Sequence, residues 1–354
     1  MRPSGIVRDG IFLKHDMGIY HPESPERLHV IYDMIDEIGP TLRLVQIPSR
    51  QASQEEIAGN HDPRYVSNIA ATAGARNTFL DADTSACPHS WDAASIAVGG
   101  LLNLVDAVMD GRVRNGFALV RPPGHHAEHR RAMGFCFFNN IAVAARHALN
   151  HHGLQRVAIV DWDLHHGNGT QNAFYEESEV LFISTHQFPH YPGTGGIREV
   201  GYGRGEGFTV NIPLAAGAGD AEYLAVFQSL VAPLVESFRP ELILVSAGFD
   251  THESDPLGSM NVTEQGYEQM TQILMSLAEE CCSGRVVLTL EGGYNLVALK
   301  NSVRRILLKM SYYDPQNDGL PPRPSWDTLG TGFKNRLKEV LLTQRKYWPG
   351  LPQL

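Results

Sequence analysis

The feature that most limits how this chain can fold is a series of short apolar runs separated by helical patterns. The runs are Gly5–Val7 or Ile11–Leu13, Phe117–Val120, Val157–Val160, Val180–Ser184, Phe208–Ile212, Leu242–Ser246 and Val286–Leu290. The later ones are short and rich in β-branched residues, as buried parallel strands are. Helical patterns cover Ser95 to Met109 and Ala221 to Phe238. In "TEQGYEQMTQILMSLAEECC", Tyr267, Met270, Ile273, Leu274, Leu277 and Cys281 share one helical face. Asn139 or Asn140 is placed to cap the helix after "FFNN". Such alternation predicts an α/β domain whose mainly parallel sheet is covered on both faces. The glycines of Tyr191–Gly207 are read as a flexible loop. Residues 311–354 turn polar and Pro-rich before a short amphipathic helix around Phe333–Tyr347. They are read as an appendage on a single domain spanning residues 1–354.

The chain carries 29 Lys and Arg against 39 Asp and Glu, a net charge of −10. That argues against binding a nucleic-acid backbone, which rewards clustered cations. Its four cysteines form no C-x-x-C pair, so neither a zinc knuckle nor a disulfide framework is expected. No leader-like segment and no run of membrane-span length is read from the sequence, and the cytoplasm is the expected location. Sixteen histidines, several in loops beside aspartates, are the first sign of chemistry.

Polar residues gather just after the strands. "GFALVRPPGHH" leads into His125 and His126, and "RVAIVDWDLHHGNG" into Asp161, Asp163, His165, His166 and Asn168. "ELILVSAGFD" leads into Asp250, and "VVLTLEGGYN" into Glu291 and Tyr294. In a parallel sheet these ends share one edge, where ligands bind. Asp163 and His165, two apart in extended chain, point the same way and make a metal half-site. Asp250 can complete a three-ligand set with an open position, the pattern of a catalytic metal. Two carboxylates and one imidazole are a hard set for zinc, so Fe²⁺ is also conceivable. The two histidines follow a rigid "RPPG" loop and suit acid–base work near neutral pH. Asp161 and Asn168 are available to hold their tautomers. A carboxylate behind one ring and an amide behind the other would separate their proton affinities. Tyr294 can donate to a developing oxyanion. His151 and His152 are read as a solvated helix cap, and His15, His29, His61 and His147 as surface or core residues. No nucleophile elbow, phosphate loop or dinucleotide fingerprint is present.

At this point the chain resembles the histone deacetylase superfamily. The likeness is carried in order by "HPESPERL", "DADTSACPHSWDAA", "RPPGHHAEHRRAMGFCFFNN", "VDWDLHHGNGTQNAF", "SAGFDTHESDPLG" and "LEGGYN". "EGGY" and the Asn of "HHGNG" are more similar to the class II branch and its bacterial relatives. The resemblance implies the three-layer arginase-like α/β/α fold, built on an eight-stranded, mainly parallel sheet. It implies Asp163, His165 and Asp250 as zinc ligands, with His126 as general base and then acid. His125 matches its electrostatic companion, backed by Asp161, while Asn168 sits behind His126 and Tyr294 polarises the acyl carbonyl. Gly134 and Phe135 match the tunnel walls. Tyr191 falls where a second tunnel aromatic, often Phe, is found. Asp83 matches a rim acid that orients the substrate backbone. Arg27 resembles the arginine of an internal acetate exit. Asp161, Asp163, His165, Ser184 and Thr185 resemble a structural potassium site.

The implied activity is zinc-dependent removal of acetyl groups from lysine ε-amines of peptides or proteins. An acetylpolyamine amidohydrolase is the alternative. Polyamine-preferring relatives of one type place Glu at the position of Leu257, which weakens that reading, although Glu253 or Asp83 can substitute. A catalytically silent acyl-lysine binder is the third reading, and the filled catalytic positions argue against it. An oligomer is possible; no nucleic-acid or membrane partner is expected.

Overall fold

The computed structural model describes residues 2–353. Eight strands form the central sheet: β1 Ser4–Val7, β2 Leu44–Gln46, β3 Asn115–Ala118, β4 Val157–Asp161, β5 Val180–Gln187, β6 Thr209–Leu214, β7 Leu242–Ala247 and β8 Val286–Leu290. Their order across the sheet is β2-β1-β3-β8-β7-β4-β5-β6. Every neighbouring pair is parallel. All strands but β2 are buried throughout, which explains why they read as unbroken apolar runs.

The structure departs from the sequence reading in four places, while Gly5–Val7, one of the two alternatives for the first strand, is that strand. β2 escapes sequence reading because it has three residues on the sheet edge, two of them exposed. Ile11–Leu13 is not a strand but part of the 3₁₀ turn Gly10–Lys14, whose first free amide, Ile11 N–H, donates to the Asp9 side chain at 3.0 Å. The pattern over Ala221–Phe238 is helical but interrupted: a π-helical turn, Phe227–Val231, separates Asp220–Val226 from Ala232–Phe238. Pro233 lies just beyond that turn; a proline lacks the N–H that regular α-helical bonding requires. Finally, Ser90–Met109 is long and apolar enough to cross a membrane, contrary to the sequence reading. Here 72% of its most apolar window is buried, so its apolarity serves the core.

Ser90–Met109 and Asn140–Asn150 pack together on one face of the sheet, with Asn139 as the cap of the second. On the other face Glu26–Ile38, Glu264–Cys282 and Leu296–Tyr312 pack in turn. The C-terminal helix Thr331–Gln344 lies against edge strand β6. Gln344 Nε2 donates to the Thr209 carbonyl at 3.3 Å, and Trp348 packs edge-on to Phe208 at 5.5 Å. This tail therefore covers an exposed strand edge.

Candidate active site

The four chemistry-bearing stretches follow β3, β8, β7 and β4, which are consecutive in the sheet. Parallel register puts their C-terminal ends on one rim, with Asp161 beside Ser246 and Ala247 beside Leu290. Beyond β4 the chain turns rather than staying extended. Asp163 N–H donates to Asp161 Oδ1 at 3.1 Å, and His165 N–H to Asp163 Oδ1 at 2.8 Å. These side-chain-to-backbone turns, and not strand alternation, bring Asp163 and His165 together.

His165 Nδ1 lies 3.1 Å from Asp163 Oδ1 and 3.1 Å from Asp250 Oδ2. One ligand atom from each of the three residues falls within 4.8 Å of the others, and all three residues are buried. The remaining carboxylate oxygens are tied down: Leu164 N–H donates to Asp250 Oδ1 and Gly292 N–H to Asp163 Oδ2, each at 2.9 Å. Asp250 Oδ2 is buried with no hydrogen-bond partner. A buried carboxylate oxygen without a donor is costly unless a cation faces it. Burial works against charge on His165, yet the Asp163 and Asp250 carboxylates beside its Nδ1 raise it to about 10. The same field favours a divalent ion, and the donor set fits one. Gly292 leaves the room: a Cβ there would stand 2.2 Å from Asp250 Oδ2.

The two adjacent histidines are held in different ways. His125 Nδ1–H donates to Asp161 Oδ2 at 2.9 Å. Asn168 Nδ2 donates to the Glu128 carboxylate, so its Oδ1 must face His126, 2.7 Å from Nδ1. That oxygen only accepts, so His126 carries its proton on Nδ1 and presents a bare Nε2. Burial depresses the charged form of both rings. At His125 the Asp161 and Asp163 charges outweigh it, raising this imidazole well above its usual range. At His126 the neighbouring His125 and His165 reinforce it, holding that imidazole well below. The expected separation of proton affinities is therefore present.

Sequence reading named Glu291 and Arg27 but not the contacts by which these and other groups hold the parts in place. Glu291 accepts from Gly124 N–H at 2.6 Å, His125 N–H at 3.2 Å and Ser246 Oγ at 2.9 Å, pinning the histidine loop to the neighbouring strand ends. Burial pushes its carboxyl up to about 7. Asp255 accepts from Tyr294 N–H at 2.6 Å and Asn295 N–H at 3.2 Å, which fixes the loop that carries Tyr294. Arg121 of "RPPG" is fully buried against Glu23, a pairing that spans 98 residues and leaves no local signal. Arg27 donates to Gly293 O at 2.7 Å and to Glu291 O, and its guanidinium lies 5.0 Å from the Tyr294 ring. Of the five residues that resemble a potassium site, all are buried, and Thr185 Oγ1 donates to Asp161 O at 3.3 Å.

A cavity of about 190 Å³ leads down to these groups. Asp83, Gly134, Phe135, Tyr191, Leu257 and Tyr294 line it above His125, His126 and His165. Tyr191 meets His126 edge-on at 5.1 Å and is 38% exposed. Phe135 sits at φ 68°, a left-handed conformation a bulky side chain rarely takes. Asp83 and Thr84 hold it there: Gly134 N–H donates to Asp83 Oδ1 at 3.1 Å and Phe135 N–H to Thr84 Oγ1 at 3.0 Å. Behind the cavity, the loop read as flexible is pinned. Glu199 accepts from Gly195 and Gly196 N–H at 3.0 and 2.8 Å and from Gln171 Nε2 at 2.7 Å.

Comparison with known proteins agrees with this geometry. Residues 21–310 match the histone deacetylase domain family. A probable deacetylase of Archaeoglobus fulgidus is 39% identical, over 98% of each chain. Histone deacetylase 15 of Arabidopsis thaliana is 41% identical over 94% of this chain, which spans 59% of that protein. The polyamine deacetylase HDAC10 of Homo sapiens is 44% identical over 79% of this chain and 43% of its own length. The crystal structure of the HDA15 HD domain superposes with a TM-score of 0.90 at 38% identity, covering 99% of this chain and 96% of that one. The chain belongs to the histone deacetylase family and has its arginase-like α/β fold. It is a deacetylase, a hydrolase of amide bonds.

Proposed function

We propose that this deacetylase removes acyl groups from lysine ε-amines of peptides or proteins, with zinc held by Asp163, His165 and Asp250. The observation that carries the reading is the buried Asp163–His165–Asp250 set facing a bare imidazole nitrogen at the foot of a narrow cavity. A divalent cation in that set supplies Lewis-acid polarisation of the acyl carbonyl and acidifies water. His126 Nε2 takes the proton of the attacking water. The His125 imidazolium, anchored on Asp161, keeps His126 neutral until that step. Tyr294 donates its hydroxyl proton in a hydrogen bond to the tetrahedral oxyanion. His126 then returns its proton to the leaving amine, and acetate and free lysine separate.

Phe135 and Tyr191 flank the cavity and suit an apolar lysine stem; Gly134 leaves room beside His126, where a Cβ would stand 2.3 Å from the ring. Asp83 lies at the same wall and can receive a substrate amide with the oxygen not used by Gly134. Leu257 gives the mouth no charge for a distal ammonium, which favours a peptide over a polyamine. We assign Arg27 to the exit side of the site. A potassium ion is proposed on Asp161, Asp163, His165, Ser184 and Thr185; the Ser184 hydroxyl is already engaged with His186 at 2.9 Å, which leaves its main chain for the ion.

The test is acetate release by zinc-loaded protein, with an acetyl-lysine peptide and N-acetylputrescine in parallel. A clear preference for the peptide is expected. Preference for the polyamine would overturn the substrate assignment and leave the deacetylase chemistry standing.

A further inference from the structure

Ser90–Met109 is followed by β3, and Asn140–Asn150 by β4. Both helices therefore end at the edge where the parallel strands begin, opposite the active-site rim. Four groups converge there: Asp106 from the last turn of the first helix, His147 from the last turn of the second, and His151 and His152 just beyond it. We propose that Asp106, His147, His151 and His152 form a second site for a divalent transition metal of the zinc class, separate from the catalytic centre.

The geometry carries this. One ligand atom from each of the four residues lies within 4.8 Å of the others. Asp106 Oδ1 is 2.6 Å from His147 Nε2 and 2.8 Å from His152 Nε2. His147 and His151 are one helical turn apart, and their rings stack at 4.8 Å with planes 13° apart. His152 stands edge-on to both, at 5.5 and 5.0 Å. Tetrahedral zinc holds N and O ligands at about 2.0–2.2 Å, which sets ligand atoms a little over 3 Å apart. The two Asp106 contacts already fall inside that spacing, and no ligand atom is more than 4.8 Å from another. Three imidazoles and one carboxylate are a common donor set for zinc.

A helix cap accounts for His147 and His152, whose Nε2 atoms both reach Asp106 Oδ1, but not for the third imidazole, His151, stacked on His147. Two helix C-termini meet here, and their carbonyl ends favour positive charge. The four donors fill a tetrahedral shell with no open position, which suits a structural ion.

The test counts metal. Protein is stripped with a chelator, reloaded with Zn²⁺, dialysed against low-micromolar free zinc, and analysed by elemental mass spectrometry. The wild type is expected to keep two equivalents and Asp163→Ala one. His147→Gln/His151→Gln should keep one, with acetate release unchanged. The exposed single variant His151→Gln, with an unaltered circular dichroism spectrum, should lose the second equivalent at lower chelator concentration than the wild type. In Asp163→Ala loaded with Co²⁺, a tetrahedral visible band should appear and vanish when His147→Gln/His151→Gln is added. A wild type with one equivalent that Asp163→Ala abolishes would overturn the proposal, as would a double variant that keeps as much metal as the wild type. Two equivalents in Asp163→Ala, reduced to one by the histidine changes, would support the distal site while telling against the catalytic ligand assignment.

Discussion

The floor and the mouth of the cavity are built on opposite plans. At the floor Asp161, Asp163 and Asp250 are fully buried, and the loop bearing the histidine pair is fixed from an adjacent strand end by Glu291. At the mouth Tyr191 is 38% exposed, and Leu257 and Asp83 sit on loops half open to solvent. Buried charges must be paired or neutralised, so each floor residue constrains its neighbours. Exposed rim residues carry no such obligation. The floor therefore defines the reaction and the mouth the choice of substrate, and substitutions should separate the two.

The largest effect is expected at the metal set. Asp163→Ala should lose the active-site ion and take acetate release to assay background, measured by metal content beside turnover. A variant with a full active-site ion and normal turnover would remove Asp163 from the site. Next, Tyr294→Phe should keep the metal and lower turnover by about 10²–10³, as for a lost oxyanion donor. Near-normal turnover would take Tyr294 out of the mechanism.

Asn168→Asp tests the floor by pH. A carboxylate behind His126 stabilises its imidazolium and raises its proton affinity, whereas the native amide does not. The reaction needs bare Nε2, so the acidic limb of kcat/KM should move to higher pH, by on the order of one unit. An unmoved limb would mean that another group titrates there. The smallest change belongs to the mouth: Leu257→Glu should shift preference toward N-acetylputrescine by roughly 3- to 5-fold, about the worth of one new exposed charge pair, and leave turnover at saturating peptide near normal. If turnover collapsed instead, floor and mouth would not be separable.

The same contrast explains what could be read from sequence. Asp163, His165 and Asp250 stand out because charged residues directly after apolar strands are conspicuous and the sheet gathers them. The His125/His126 difference was legible through Asp161 and Asn168. Glu291 was visible as an acid at a strand end, but not its task, since its donors Gly124 and Ser246 come from the loop after β3 and from β7. Glu23 and Arg121 pair across 98 positions, beyond any local pattern. His147, His151 and His152 looked ordinary until Asp106, 41 positions before His147, was placed beside them. Edge strand β2 was too short to register.

The unusual conformation of Phe135 bears on how such a pocket can change. Its backbone is kept in place by Asp83 and Thr84, which belong to the separate small hairpin Thr78–Phe79/Ser85–Ala86. The pocket wall is thus not a portable module. Transplanting the Gly134–Phe135 turn into another scaffold would carry its letters but not its shape unless the hairpin travelled with it. Any drift in the hairpin is inherited by the opening through which substrates pass.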